Sequence, residues 1–401
     1  VKLAAVRPLT LATAAVALAV AVALAPGHRG WFDVGVYYGT VHYWLDGGGQ
    51  VYDYLRPGTG YGFTYPPFAA VTMLPMELVG WHTAVALSVV LNVVASALLL
   101  FWLVNPLVER MGWPRWYALG MAGVLFAATE PVRDTFSFGQ VNLLLMALVY
   151  ADLSLLSRGG RLAGIGIGLA TAIKLTPALF IGYLLIARRY RAAAVAAGTA
   201  TAATLLAALV MPGASRVFWT EALWDTGRIG SLAYVSNQSL RGAVSRLNPT
   251  GGGLFWALAV LAVLAVWAYQ VRRSGDDVVG FALTGVVACL VSPVTWVHHL
   301  VWLIPALVLL VGDGLTRWER AGRGRLIGAS VIFVLLVSGP VWLWSPYPHG
   351  IDGFLGGNAY VWVGLALLFA VPVAAADPRP GDVGRLVRSI PGPSGWRAPA
   401  N

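Results

Sequence analysis

The sequence predicts an all-α polytopic membrane protein that crosses the bilayer about ten to twelve times and carries polar loops on its outer side. Three observations carry that prediction. Apolar residues make up 58% of the 401 positions and charged ones only 11%, against roughly 45–50% and about 25% in soluble domains. The apolar residues are gathered into runs long enough to cross a hydrocarbon core of about 30 Å. Basic residues recur between alternate runs, which is the charge bias of cytoplasmic loops. That bias and attraction to anionic lipid heads account for the net charge of +10, so nucleic acid is not an expected partner. The single Cys289 has no partner within the chain, and packing in lipid has to hold the fold without a disulfide.

Read with a window of about 19 residues, the apolar runs are 8–25, 83–107, 116–133, 139–157, 192–211, 254–271, 278–291, 298–312, 326–344 and 358–376. In the first, Ala23-Leu24-Ala25 imitates a signal-peptide cleavage site. Pro26 follows the would-be cut and further spans follow it, so the run is read as a span. The run 66–80 is too short to cross and is interrupted by Pro75, which makes it an embedded or interfacial helix.

The run 162–187 is different. Arg158 and Arg161 precede it and Arg188, Arg189 and Arg191 follow it, so a single crossing would put one basic cluster on the wrong side. A hairpin turning at Ala172-Ile173-Lys174-Leu175-Thr176-Pro177 resolves the conflict, because Pro177 removes a helical donor and clashes with the preceding turn. Broken backbone at that depth requires a protein-lined or polar setting. Gly164, Gly166 and Gly168 in the same run suit close helix packing better than phosphate binding. With the hairpin in place both termini are cytoplasmic, and the polar segments 26–65, 212–253 and 345–357 face outward together. Residues 1–376 then form one membrane domain. The proline-rich segment 377–401, with Pro378, Pro380, Pro391, Pro393 and Pro399, is expected to be a disordered cytoplasmic tail.

Candidate chemistry lies on the outer side. Asp33 follows the first span and leads into an aromatic loop with Tyr37, Tyr38 and Tyr65. Two roles are open to it: an N-cap for a helix Val34–Leu45, or a base that takes a proton from a sugar hydroxyl. Lys174 at the hairpin turn needs an anionic partner, either a ligand phosphate or a carboxylate such as Glu130 or Asp134. Gln140 and Asn142, near Arg133 and Asp134, either bond neighbouring helices or meet a ligand. Ser292-Pro293-Val294-Thr295-Trp296-Val297-His298-His299 lies at the outer end of run 278–291. One of its adjacent histidines suits a phosphate or a sugar hydroxyl, the other a packed core. They share no face for a metal and there is no HExxH pattern, so no metal and no cofactor are expected. Asn237, Gln238 and Arg241 supply amide and cationic donors in the second outer segment, with a solvated loop as the plain alternative.

Taken in order, Asp33 with Tyr37, Phe63-Thr64-Tyr65-Pro66-Pro67-Phe68-Ala69-Ala70, Gly139-Gln140-Val141-Asn142, Ile173-Lys174-Leu175-Thr176-Pro177, Asn237-Gln238-Ser239 and Ser292-Pro293 with Trp296, His298 and His299 resemble glycosyltransferase family 87. These are the actinobacterial polyprenyl-phosphate-mannose-dependent α-mannosyltransferases of GT-C fold. The resemblance runs from about residue 30 to 312. It implies a plasma-membrane enzyme that transfers mannose, with inversion and to an α-1,2 linkage, from polyprenyl-phosphate-mannose to a mannosylated lipid or lipoglycan. It also implies Asp33 as catalytic base and a histidine of Trp296-Val297-His298-His299 near the donor phosphate. Lys174, His298, His299 and Arg241 are the expected phosphate contacts. Tyr37, Tyr65, Gln140, Asn142, Asn237, Gln238 and Trp296 are the expected sugar contacts. Close relatives include arabinofuranosyltransferases, and the short motifs do not separate the two donors. Outside the resemblance, a lipid or sugar transporter and a non-catalytic sugar-binding scaffold also use broken helices with buried cations, although no second copy of the Lys174 hairpin marks a repeated half.

Overall fold

The computed structural model describes residues 2–24, 28–248, 251–317 and 320–373. The tail expected at 377–401 lies outside the described residues. Helix α1 (Lys2–Leu24) is followed by α2 (Phe32–Leu45) and, after a turn-rich stretch, by α3 (Pro67–Met73) with a 3-10 turn at Leu74–Leu78. Next come α4 (Trp81–Met111), α5 (Arg115–Ala128), α6 (Glu130–Phe138), α7 (Asn142–Ser157), α8 (Ile165–Ile173), α9 (Ala178–Ile186) and α10 (Tyr190–Val210). The second half holds α11 (Pro212–Val217), α12 (Leu240–Leu247), α13 (Gly253–Ser274) and α14 (Asp277–Val291). After a 3-10 segment at Val297–Leu303 the chain continues through α15 (Ile304–Thr316), α16 (Arg320–Ser338), α17 (Gly350–Gly357) and α18 (Ala359–Ala370). Among the described residues the only β pairing is an isolated bridge between Leu55 and Gly62.

Six helices are long and apolar enough to cross a membrane, and two bent pairs bring the total to as many as eight. The protein is therefore an all-α multi-pass membrane protein, with fewer straight crossings than the ten apolar runs imply. The difference arises where backbone chemistry breaks a run. Run 116–133 ends as a helix at Ala128: Thr129 is extended, Pro131 opens a new helix, and α6 meets α7 at 114°. Gly139 makes that corner with φ 71°, and a Cβ there would strike Val34. An L-residue is disfavoured on both counts. Residues 67–78 stay short, as the sequence requires, because Pro75 turns the helix into a 3-10 end.

The hairpin is present in the fold. Gly164, at the start of α8, packs on Ala192 and Ala196 of α10, and Gly168 packs further along on Ala196 and Thr199. After the break at 174–177, α9 returns, ending three residues before α10 begins. Both ends of the hairpin thus lie at one end of α10. A Cβ on Gly164, Gly166 or Gly168 would collide with the backbone of α10 or α7, so these glycines serve close packing. The first amides of α8 find a partner in Asp152 of α7, whose Oδ2 accepts from Ile167 N at 2.7 Å. A side-chain oxygen at a helix start satisfies donors that lipid cannot.

Two cores frame the site. The larger surrounds α14, in which every residue from Val279 to Leu290 is buried, the pattern of a helix wrapped on all faces. The smaller joins α2, α3, α11 and the turn that follows it through Val36, Val41, Tyr52, Ala70, Ala214 and Phe218. Polar groups are concentrated where the two meet.

Candidate active site

Four breaks in regular structure converge there: the start of α2, the corner between α6 and α7, the hairpin turn, and the 3-10 segment Val297–Leu303. Each brings polar side chains that an unbroken apolar helix would exclude. Lys174 Nζ donates to Asn142 Oδ1 at 3.0 Å and to the Tyr65 hydroxyl at 3.4 Å, and lies 2.8 Å from His299 Nε2. It also sits 5.0 Å from the centre of the Tyr65 ring. The Tyr65 hydroxyl donates to Gln140 Oε1 at 2.8 Å, and Tyr37 reaches Tyr65 at 3.1 Å and Gln140 at 3.4 Å.

Asp33 completes the set. Helix α2 begins at Phe32, so Asp33 is in its first turn and is not the N-cap; that position is Trp31, in the left-handed region at φ 53°. The capping role therefore does not apply, although the carboxylate still faces the positive helix end. Burial raises the Asp33 pKa to about 7, and a hydrogen bond from Gln140 and the charges of Lys174 and Arg56 hold it from rising further. Its Oδ2 is closed off without a hydrogen-bond partner. A carboxylate of near-neutral pKa with one idle oxygen is equipped to accept a proton. Burial likewise pushes the Tyr37 and Tyr65 hydroxyls above their ordinary range, with Asp33 contributing. Both phenols stay protonated and act as donors.

The two histidines divide their work. His299 meets Lys174, and its Nδ1 faces the Trp296 backbone N–H at 3.1 Å. The His298 ring packs edge-on against Phe138 and His299, and its carbonyl accepts from Thr135 and Asn142, each at 3.2 Å. The carboxylates considered as partners for Lys174 are committed elsewhere. Glu130 accepts from Tyr360 and Trp342, and Asp134 pairs with Arg29 at 3.5 Å.

Residues 63–293 match the model of glycosyltransferase family 87. The chain is also 32% identical over 368 residues, covering 85% of itself and 84% of the relative, to the polyprenol-phosphate-mannose-dependent alpha-(1-2)-phosphatidylinositol mannoside mannosyltransferase of Mycobacterium tuberculosis. The chain belongs to glycosyltransferase family 87. It shares 35% identity over 360 residues with the corresponding phosphatidylinositol pentamannoside mannosyltransferase of M. tuberculosis, covering 86% of itself and 80% of that protein. With the M. smegmatis phosphatidylinositol mannoside enzyme it shares 30% over 375 residues, covering 86% and 84%. No solved structure matches the chain.

This family 87 protein is accordingly an integral membrane glycosyltransferase. Asp33, Tyr37, Tyr65, Gln140, Asn142, Lys174 and His299 stand in one connected group. Asn237, Gln238 and Arg241 stand apart from it. The Asn237 amide donates to Leu232 O and Pro293 O and accepts from Thr295 N. Gln238 donates to Val235 O and Gly357 O and accepts from Tyr360 N. These buried amides spend their hydrogen bonds tying the outer segments together. Arg241 lies over Trp256 of α13 at 5.4 Å, and Trp296 packs edge-on to Tyr234. Two arginines escaped the sequence reading. Arg56 covers Phe32 at 4.7 Å and donates to Gly30 O and Trp31 O, bracing the turn that carries Asp33. Arg29 bridges Asp134, Phe138 and Trp342. No local pattern marks either, because their partners are distant in sequence.

Proposed function

We propose that the protein transfers mannose from a polyprenyl-phosphate-mannose donor to a phosphatidylinositol mannoside or a related mannosylated lipid, forming an α-1,2 linkage with inversion at the outer face of the plasma membrane. Its termini are then cytoplasmic, the placement that the distribution of arginine favours. The single observation that carries the reading is the pairing, through Gln140 and Tyr65, of a proton-accepting carboxylate with a cation.

In this mechanism Asp33 takes the proton of the acceptor hydroxyl while its oxygen forms the new bond to the anomeric carbon. The bond from that carbon to the donor phosphate breaks, and polyprenyl phosphate leaves with the electron pair. The leaving group is already stable as an anion and needs charge stabilisation, not a proton. Lys174 supplies the charge, and Asn142 and His299 aim it. Tyr37, Tyr65 and Gln140 fix the distance between base and cation. One displacement turns a β-linked lipid sugar into an α-linked product.

The test is transfer of labelled mannose from polyprenyl-phosphate-mannose to a purified phosphatidylinositol mannoside by the protein in detergent, with product linkage read by mass spectrometry and specific α-mannosidase. An α-1,2-mannosylated product supports the reading. Use of polyprenyl-phosphate-arabinose in place of the mannose donor would overturn it.

A further inference from the structure

At the far end of α2 from Asp33 lies a second group of chemically capable side chains that glycosyl transfer does not use. His42 and Asp46 are four residues apart, on one face of a helical turn, and Glu77 approaches from the 3-10 turn Leu74–Leu78. One ligand atom from each of the three lies within 4.8 Å of the other two. We propose that His42, Asp46 and Glu77 form a binding site for a divalent transition-metal cation of the zinc type, which clamps α2 to the turn after α3.

The local bonding leaves ligand atoms available to a cation. Glu77 Oε2 is closed off from solvent and makes no hydrogen bond, although it stands 3.3 Å from His42 Nδ1. Asp46 has no side-chain partner among the described residues, and with Glu77 it places two carboxylates beside one imidazole. Among the described residues the one ion pair at the cluster is that between Glu77 and the His42 imidazole, when protonated. Its Nδ1 is 3.2 Å from Tyr38 O and its ring stacks on Tyr38 at 4.1 Å, so the histidine is held in place before any metal arrives.

The donor set selects the ion. One nitrogen and two oxygens, with positions left for water, suit zinc and its neighbours, and imidazole is a poor ligand for calcium or magnesium. The site is structural. Nine residues of helix separate His42 from Asp33, about 14 Å at 1.5 Å per residue, so a cation here cannot touch the reacting atoms. It can hold the helix that carries them.

The experiment uses full-length, tag-free protein in detergent, stripped with a chelator and dialysed against micromolar ZnCl2. Metal content is read by elemental analysis and stability by melting. One retained zinc per chain and a melting point that rises with zinc are expected, because a ligand bound only to the folded state stabilises it. Asp46→Asn is exposed and nearly isosteric, and Glu77→Gln preserves shape, so both proteins should fold. Each should weaken zinc binding about tenfold or more, whereas His349→Ala, a control elsewhere on the surface, should not. Failure of the wild-type chain to retain zinc, or equal retention by the two variants, would overturn the site. An equal melting shift with CaCl2 would overturn the choice of a transition metal.

Discussion

Lys174 Nζ lies 2.8 Å from His299 Nε2, joining the tip of a membrane hairpin to the 3-10 start of a helix 125 residues later. The contact shows why both segments are irregular. A continuous helix would bury Lys174 in apolar packing, whereas the break sets its ammonium among an imidazole, an amide oxygen and a phenol. The cost of a cation at this depth is met by ligands that a helix could not have presented together.

Asp33→Asn should abolish transfer, lowering turnover by about 10² to 10⁴, because an amide cannot take the hydroxyl proton. The protein should fold, since the side chain is in the first turn of α2 and makes no capping bond. Wild-type turnover in a well-folded variant would remove Asp33 from the proton-accepting role.

The raised pKa of Asp33 fixes the sign of two pH effects. Activity should rise with pH through about 7 as the carboxylate ionises, and this limb should be missing from any residual activity of Asp33→Asn. Stability runs the other way. A folded-state pKa above the unfolded value of about 3.9 means that the native state holds the proton more tightly, so stability is lost as pH rises from about 4 to about 7. Asp33→Asn should therefore melt higher than wild type at pH 8, with a smaller gap at pH 5. Melting curves at the two pH values check this.

Lys174→Met keeps the stem and removes the charge. It should raise the apparent KM for the polyprenyl-phosphate donor or lower turnover, and leave the KM for the acceptor unchanged. Steady-state kinetics in which each substrate is varied separately distinguish the outcomes. A change confined to the acceptor KM would contradict the assignment.

Asn237→Ala and Gln238→Ala should fail as proteins before they fail as catalysts. Each truncation strips partners from buried amides or carbonyls, at about 1–3 kcal/mol per unsatisfied group. Lowered melting with proportionate loss of activity is expected. A stable Gln238→Ala protein with a selective KM defect would return that residue to the substrate.

Cysteines placed at Arg161 and Tyr190, both exposed, should label from the same side of sealed vesicles, because the hairpin returns the chain to the end of α10 from which it came. The native Cys289 is buried and does not compete. Labelling from opposite sides would mean that 162–187 crosses the membrane.

Much of this arrangement is legible in the sequence because lipid makes the rules strict. A basic cluster on each side of run 162–187, with Pro177 inside it, leaves a hairpin as the simplest solution. An unexplained Lys174 in that turn calls for partners. Asp33, Gln140 and Asn142 were legible as polar residues at the ends of apolar runs. The tilt of α6 was not, since it depends on how Thr129, Pro131 and Gly139 combine in three dimensions. The buried amides teach the same lesson from the other side. Asn237 and Gln238 have the chemistry of sugar binders, but their partners at Pro293, Thr295, Gly357 and Tyr360 lie 56 to 122 residues away, and no periodicity announces such bonds.

Asp152 makes the hairpin dependent on its neighbour. The amides at the start of α8 are satisfied by a carboxylate on α7, so α8 has no complete hydrogen bonding of its own at that end. Lipid offers no donor or acceptor in exchange. The half-hairpin that carries Lys174 is therefore a borrowed structure: its leading edge is finished by another helix, and a change at Asp152 would be felt at a lysine it never touches.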